Sequence, residues 1–456
     1  MKSSIKAVFY CLFLIVAFTA VQTAFSQEPE KPKKVSGDTK KYRQEALRLL
    51  DEMKGIIKED YYDPKFHGVD LESRFKAAEE RIKTLEYNWQ MYRVLVQVLM
   101  DFNDSHTRFN IPPRTDYFDY GFSMQMFGND CYVVSVKKDS DAAKQGLAVG
   151  DKILNIGKYT PSRQHLWKIV YVLYRLDPLD TVDLKIQKLD NSVQNLTVKA
   201  KTMTQKERKA ELKKKKSNEK VEPYKCQAVN SEILACKLYS FVTEKSTVDK
   251  MMKEARNYKK LILDLRGNGG GYVILEEYLI GHFFDKSIKI GDIITRKKTE
   301  TRMAESRGDK VFKGELVVLV DSNSASAAEI FSRVMQIEKR GKVIGDVSRG
   351  AVMTSIYRPL FSPASAFADI IISSVGMSIT IGDVVMKDGS RLENVGVLLD
   401  YPVAPNALAL SKKMDPILAY AATTLGAELS PEKAGEFYFI TQKDDDEDLD
   451  GDDGDK

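Results

Sequence analysis

Residues 261–272, LILDLRGNGGGY, constrain this 456-residue chain more than any other stretch. An apolar run into Asp264 reads as a buried strand, and the glycines after Asn268 read as a strand end opening into a loop whose amides no side chain obstructs. Residues 273–284 follow with apolar positions at helical spacing. Strand, glycine loop and helix in succession aim peptide N–H groups at developing negative charge. Phosphate-binding loops and plain tight turns share this pattern, so it fixes the local fold and leaves the chemistry open.

A second stretch, residues 315–333 (ELVVLVDSNSASAAEIFSR), narrows the choice. Its apolar strand, 316–320, ends in small hydroxyl residues, and a helix begins within Ser324-Ala325-Ser326-Ala327-Ala328-Glu329. A serine at a strand-to-helix junction has an exposed hydroxyl set against a helix N-terminus. Ser326 and Glu329 also fit a capping box, in which the serine is only a helix starter. Taken together, DLRGNGGG and the later SASAAEIFS resemble peptidase family S41, which holds the C-terminal processing proteases and the tricorn-like proteases. The resemblance covers nearly the whole chain beyond the leader. It implies an α/β fold with a ClpP/crotonase-like spiral core of β-β-α units, Ser326 as nucleophile, and the amides of Gly270 and Ala327 as the oxyanion hole.

The chain is long enough for two or three domains, and its formal charge of +5 does not point to nucleic acid. Lys2 and Lys6 precede an apolar run, 7–20, and Ala24-Phe25-Ser26 follows. This reads as a signal peptide over 1–26, too short an apolar run to span a membrane comfortably, and predicts a periplasmic or secreted protein with no stable membrane anchor. A Pro- and Lys-rich linker fills 27–39. Three cysteines would remain after cleavage. Cys226 and Cys236 flank an expected hairpin at Asn230-Ser231 and could pair, or could be separate buried thiols.

Apolar positions recur at helical spacing from residue 40 to about residue 101, which predicts a helical N-terminal region over 40–115. It ends in Asp104-Ser105-His106-Thr107-Arg108. Residues 116–203 change to short alternating strands around AAKQGLAVGDKILNIG, which resembles a PDZ domain. Tyr120-Gly121-Phe122 stands where such a domain binds a peptide carboxylate with loop amides. A small β-domain serving merely as a lid is the alternative. Residues 204–222 carry Lys206, Lys209, Lys213, Lys214, Lys215, Lys216 and Lys220 with little apolar content and read as a solvated basic linker or helix. The core follows over 223–430, with a strand expected near 368–373. The acidic tail, 431–456, lacks a full calcium loop and has the composition of disorder.

The processing proteases use a Ser-Lys dyad, and where its lysine should follow Gly345-Asp346-Val347-Ser348-Arg349-Gly350 this chain has Ala351. A methyl group takes no proton, and Arg349 stays protonated at any working pH. The tricorn-like branch instead uses a histidine oriented by a glutamate. Of the four histidines, His67, His165 and His282 read as structural or solvent-facing. His106, in a stretch similar to the family's Asp-x-His-Thr, matches the catalytic one, Ser105 matches the serine before it, and Glu393 matches the glutamate of a Glu-x-x-Gly-Val segment. The resemblance thus implies an exported serine endopeptidase acting on unfolded or C-terminal peptide segments, with no metal and no cofactor. A catalytically silent peptide-binding protein on the same scaffold is the rival. An acyl-CoA enzyme is disfavoured by the leader and the serine motif. Oligomeric state is left open.

Overall fold

The computed structural model describes residues 39–111, 116–218, 222–360 and 375–437. The leader, nearly all of the 27–39 linker, the strand expected near 368–373 and the acidic run beyond residue 437 lie outside the described residues.

Three helices open the described chain, α1 (Thr39–Asp60), α2 (Leu71–Thr84) and α3 (Asn88–Met100). Each buries one apolar stripe at helical spacing: Leu49, Leu50, Met53 and Ile57; Leu71, Phe75, Ala78 and Ile82; Met91, Val94, Leu95 and Val98. Asp70 starts α2 by accepting from the Ser73 amide. The stripes form one core with Phe109, Met377 and Ile379, so the helical region is packed against the distant end of the chain. That packing brings the segment carrying His106 to residues nearly three hundred positions later.

Strand β1 (Arg108–Asn110) leads into a β-rich region. There β2 (Asp116–Asp119) pairs with β8 (Lys201–Thr204). The strands β3 (Phe122–Phe127), β4 (Asp130–Val136), β5 (Lys152–Ile156), β6 (Thr181–Gln187) and β7 (Val193–Lys199) form an antiparallel sheet in sequential order. In β6 the alternation of Val182, Leu184 and Ile186 inward with Thr181, Asp183 and Lys185 outward follows from the period-two geometry of a strand. Helix α4 (Leu166–Tyr171) packs on this sheet. The basic segment forms helix α5 (Gln205–Asn218).

The main sheet has the order β18-β15-β14-β11-β10-β9, with β9 (Tyr224–Ala228), β10 (Ile233–Leu238), β11 (Lys260–Asp264), β14 (Glu315–Val320), β15 (Lys342–Gly345) and β18 (Tyr401–Pro402). Only β9 runs antiparallel to its neighbour. Both faces are covered, which explains the continuous apolar runs. Leu234, Cys236, Leu261, Leu263, Leu316 and Val318 face one core, with α6 (Lys245–Ala255), α7 (Val273–Ile280) and α8 (Ala327–Ile337); Ile233, Ala235, Ile262, Val317 and Leu319 face the other, with α9 (Pro416–Thr424). Cys226 and Cys236 are partners across β9 and β10 and form a disulfide. A second sheet centres on β17 (Gly376–Met386), which pairs with β1, β12 (Ile288–Thr295) and β16 (Met353–Pro359); β13 (Thr299–Ala304) extends it. The architecture is mixed α/β, with a helical N-terminal region and a β-rich domain ahead of the core.

Candidate active site

The parallel strands β11 and β14 end side by side, and the two motif loops leave from those ends, where open α/β sheets place their ligands. Asp321 ties the loops together: one carboxylate oxygen accepts from the amides of Gly267 (2.8 Å), Asn323 (3.0 Å) and Ser324 (3.1 Å). Asn268, fully buried, donates from Nδ2 to the Leu238 carbonyl and accepts the Ala325 amide on its own carbonyl. The glycine loop is therefore clamped against the serine loop from both sides.

Ser326 sits at the N-terminus of α8 with φ 53° and ψ −117°, a conformation costly for a residue with a side chain. Glu329 holds it there. The fully buried Glu329 carboxylate accepts from the amides of Ser326 (3.0 Å), Gly350 (2.7 Å) and Ala351 (2.9 Å) and from the Ser348 hydroxyl (2.6 Å). Burial pushes its pKa up, and these four donors oppose that shift. The Ser326 amide also donates to the Ala351 carbonyl (3.0 Å). Residue 351 thus lies beside the nucleophile, where a dyad lysine is expected, and is alanine.

Gly270 has φ +99°, and a Cβ placed on it would stand 2.7 Å from Ser326 Cβ and 3.2 Å from the Ala327 nitrogen. Only glycine fits this approach. Its amide, however, donates to Asn268 Oδ1 (2.9 Å) and is not free for a substrate oxygen in this structure. Among the described residues the amides of Ala327 and Gly271 make no hydrogen bond.

His106 arrives on the turn between α3 and β1. Asp104 pins that turn by accepting from the amides of His106 (2.9 Å) and Thr107 (2.6 Å), from Thr380 Oγ1 (2.8 Å) and from the Tyr61 hydroxyl (2.8 Å). Ser105 Oγ lies 2.6 Å from His106 Nδ1 and donates to Glu393 Oε2 (2.9 Å), while the Ser105 amide donates to Glu393 Oε1 (2.7 Å). Glu393 therefore reaches the imidazole through Ser105 and makes no hydrogen bond of its own to the ring. The same carboxylate accepts the Val352 amide (2.8 Å), next to Ala351. Burial raises the Glu393 pKa to about 7 against its three donors, and burial, with Arg108 and Arg349 nearby, lowers that of His106 to about 4. Between the Ser326 hydroxyl and the His106 ring there is no hydrogen bond in this structure.

The other histidines are placed elsewhere. His67 bonds the Phe102 carbonyl, His165 precedes α4, and His282 is buried beside Asp249. The expected peptide loop is engaged internally: the buried Tyr120 hydroxyl donates to the Leu179 carbonyl, the Gly121 amide donates to Asp119, and the Phe122 carbonyl accepts from Tyr174. No amide of Gly121 is left for a carboxylate. Asp104, Asn268, Asp321 and Glu329 are organising residues that the motifs contain without advertising. Among the described residues no group of His, Cys, Asp and Glu has a metal-holding arrangement.

Residues 232–403 match the model of peptidase family S41, and residues 119–200 match that of the PDZ domain. Ser326, Gly270 and Glu393 fall within the first match; His106 falls within neither. A "Probable CtpA-like serine protease" of Staphylococcus haemolyticus (strain JCSC1435) is 25% identical over 329 residues, 71% of this chain and 60% of the relative. The chain thus spans about 60% of the length of that relative. Among solved structures, mature CPAF superposes with a TM-score of 0.64 at 13% identity, covering 91% of this chain and 99% of that one. The photosystem II D1 C-terminal processing protease gives 0.50 at 18% identity, covering 80% and 97%. At such identities the two structures speak for the fold.

Proposed function

We propose that this chain, a member of peptidase family S41 through residues 232–403 with a PDZ domain ahead of them, is a serine endopeptidase whose nucleophile is Ser326, whose general base is His106, and whose Glu393 acts through Ser105. One observation carries this reading. Glu393 bonds both Ser105, which touches His106 Nδ1, and the Val352 amide, whose neighbour Ala351 holds the Ser326 amide.

The directions of these bonds select the chemistry. An ionised Glu393 accepts the Ser105 proton, so Ser105 Oγ accepts from His106 Nδ1–H and the lone pair is left on Nε2. That nitrogen takes the Ser326 proton as the oxygen attacks a peptide carbonyl, then returns it to the departing amine; water repeats the cycle on the acyl-enzyme. The hydrogen bond from Ser326 to the ring forms on substrate binding, as is common for catalytic contacts that are open in the free enzyme. The Ala327 amide stands ready for the oxyanion, and Gly270 joins it once Asn268 Oδ1 releases its amide.

With Glu393 protonated, its O–H can donate to Ser105, which then donates to Nδ1. The ring proton moves to Nε2, and the base is lost. Cleavage is therefore expected to rise as pH passes upward through about 7, following Glu393, while His106, neutral above about 4, adds no step in that range. A kcat/KM profile checks this, and in Glu393→Gln the step near 7 should vanish along with most activity.

The substrate is a peptide or protein, taken in unfolded or C-terminal segments. Export is supported by the leader and by the Cys226–Cys236 disulfide, a bond that persists in oxidising compartments. Among the described residues no helix is long and apolar enough to cross a membrane. The test is labelling by a serine-directed fluorophosphonate with peptide mapping. Label on Ser326 that is lost in His106→Ala is the expected result; label on another serine, or undiminished labelling in that variant, would overturn the assignment.

A further inference from the structure

Beside the glycine loop the chain exposes large apolar side chains without interruption: Val242 (60% exposed), Tyr272 (51%), Val273 (44%) and Ile274 (61%). Single exposed apolar residues are ordinary, but a contiguous group is not. Backbone contacts hold the group together. The Tyr272 amide donates to the Phe241 carbonyl, the Phe241 amide donates to the Gly270 carbonyl, and a Cβ on Gly271 would lie 2.6 Å from the Val242 nitrogen. One residue further on, Gly270 abuts Ser326. The patch is thus the lip of the nucleophile's own loop.

Helix α7 sharpens the point. It gives a core-facing position to Glu276, which is fully buried against Arg302, while Val273 and Ile274 in its first turn go to solvent. Losing Glu276 alone would leave the buried Arg302 guanidinium with Glu277 as its only carboxylate, but an apolar pair in place of Glu276 and Arg302 would be neutral or stabilising. Burial of apolar surface by itself thus does not favour a first turn that sends Val273 and Ile274 to solvent.

We propose that Val242, Tyr272 and Ile274 form a subsite that selects non-polar side chains of an extended peptide beside the scissile bond. This rests on the serine peptidase reading and deepens it by naming the substrate class. Substrate residues flanking the cleaved bond must pass the glycine loop for the carbonyl oxygen to approach the Ala327 amide, so they meet this lip. Desolvating apolar side chains against it favours Leu-, Val- or Phe-flanked bonds over Asp- or Ser-flanked ones. A single misfit in such a pocket changes kcat/KM by roughly 10- to 200-fold.

Two measurements test the subsite separately from the chemistry. In the first, cleavage of a peptide pair differing only in Leu or Asp beside the scissile bond is divided by the fluorophosphonate labelling rate. The wild type should prefer the Leu peptide, and Ile274→Asp or Val242→Asp should reduce that preference at least about tenfold. Leu189→Asp, at an exposed apolar residue in the remote β6–β7 turn, should leave it unchanged. In the second, the same peptides, fluorescently labelled, bind to Ser326→Ala, and the Ile274→Asp change in that background should erase the difference between them. Cleavage without an apolar preference, or a preference that survives both lip variants, overturns the subsite and spares the peptidase. Selective binding by Ser326→Ala with no cleavage by the wild type overturns the peptidase and spares the subsite. Self-association lost in Ile274→Asp, with peptide preference intact, gives the lip to a second copy and also overturns the proposal.

Discussion

Ser326→Ala is expected to lower peptide cleavage on the order of 10⁴-fold or more, and His106→Ala by a similar factor. The double variant should be no worse than either alone, because a nucleophile and its base act as one unit and their losses do not add. Neither change should disturb the fold greatly. The Ser326 hydroxyl serves the fold only at the first turn of α8, and among the described residues the His106 ring makes one hydrogen bond, to Ser105. The check is kcat/KM for the three variants beside their thermal melting curves. A His106→Ala protein retaining more than about a tenth of wild-type activity would mean that another group takes the proton, and additive losses would separate the two residues.

Glu329→Ala should be the most damaging single change outside the reacting groups. It deprives the buried amides of Gly350 and Ala351 and the Ser348 hydroxyl of their acceptor at once, and leaves the Ser326 amide only the Ala351 carbonyl. Each buried donor left unsatisfied costs about 1–3 kcal/mol, so a loss of about 3 kcal/mol or more is expected from denaturant unfolding. Relaxation of Ser326 from its unfavourable backbone conformation should also cut fluorophosphonate labelling by about 10²-fold in protein that remains folded. Glu329→Gln separates the effects: it keeps volume and one acceptor oxygen, so it should recover part of the stability and less of the labelling. Wild-type stability and labelling in Glu329→Ala would show that the carboxylate is dispensable.

The sequence displayed the proposed reacting groups better than their supports. Strand β11 and the glycine loop were readable because an apolar run and a glycine cluster are local signals. The strand-to-helix junction at Ser326 was readable too, but there a helix cap and a nucleophile look alike, and the proposed role came from the resemblance. His106 and Glu393 emerged only from the resemblance, since nothing local marks a histidine in a polar turn as close to a glutamate nearly three hundred residues away. Glu329 illustrates the harder case. Its spacing from Ser326 fits a capping box, and its carboxylate does accept the Ser326 amide, but its three further donors come from a loop that only the tertiary fold delivers.

Other differences have equally specific causes. Gly270 looked open because no side chain follows from its own sequence position, yet Asn268, two residues earlier, folds back on its amide. Ser105 was expected as an accessory and lies between carboxylate and ring, a question of ångströms in space that spacing along a chain cannot settle. Tyr120 and Phe122 were assigned to a peptide loop by resemblance, and both are buried in the domain's own core. For the two cysteines the sequence left pairing open, and the β9–β10 register, which places Cys226 opposite Cys236, decides it.

That cross-link has a mechanical meaning. Strand β9 lies at the outer margin of the main sheet and is where the chain enters the core after α5. An outer strand frays from its margin inward, one rung at a time. The sulfur bond ties β9 to β10, which is held on both sides within the sheet and leads directly to Phe241 beside the glycine loop. Loosening where the chain enters the core is in effect stopped one strand short of the loops that surround Ser326.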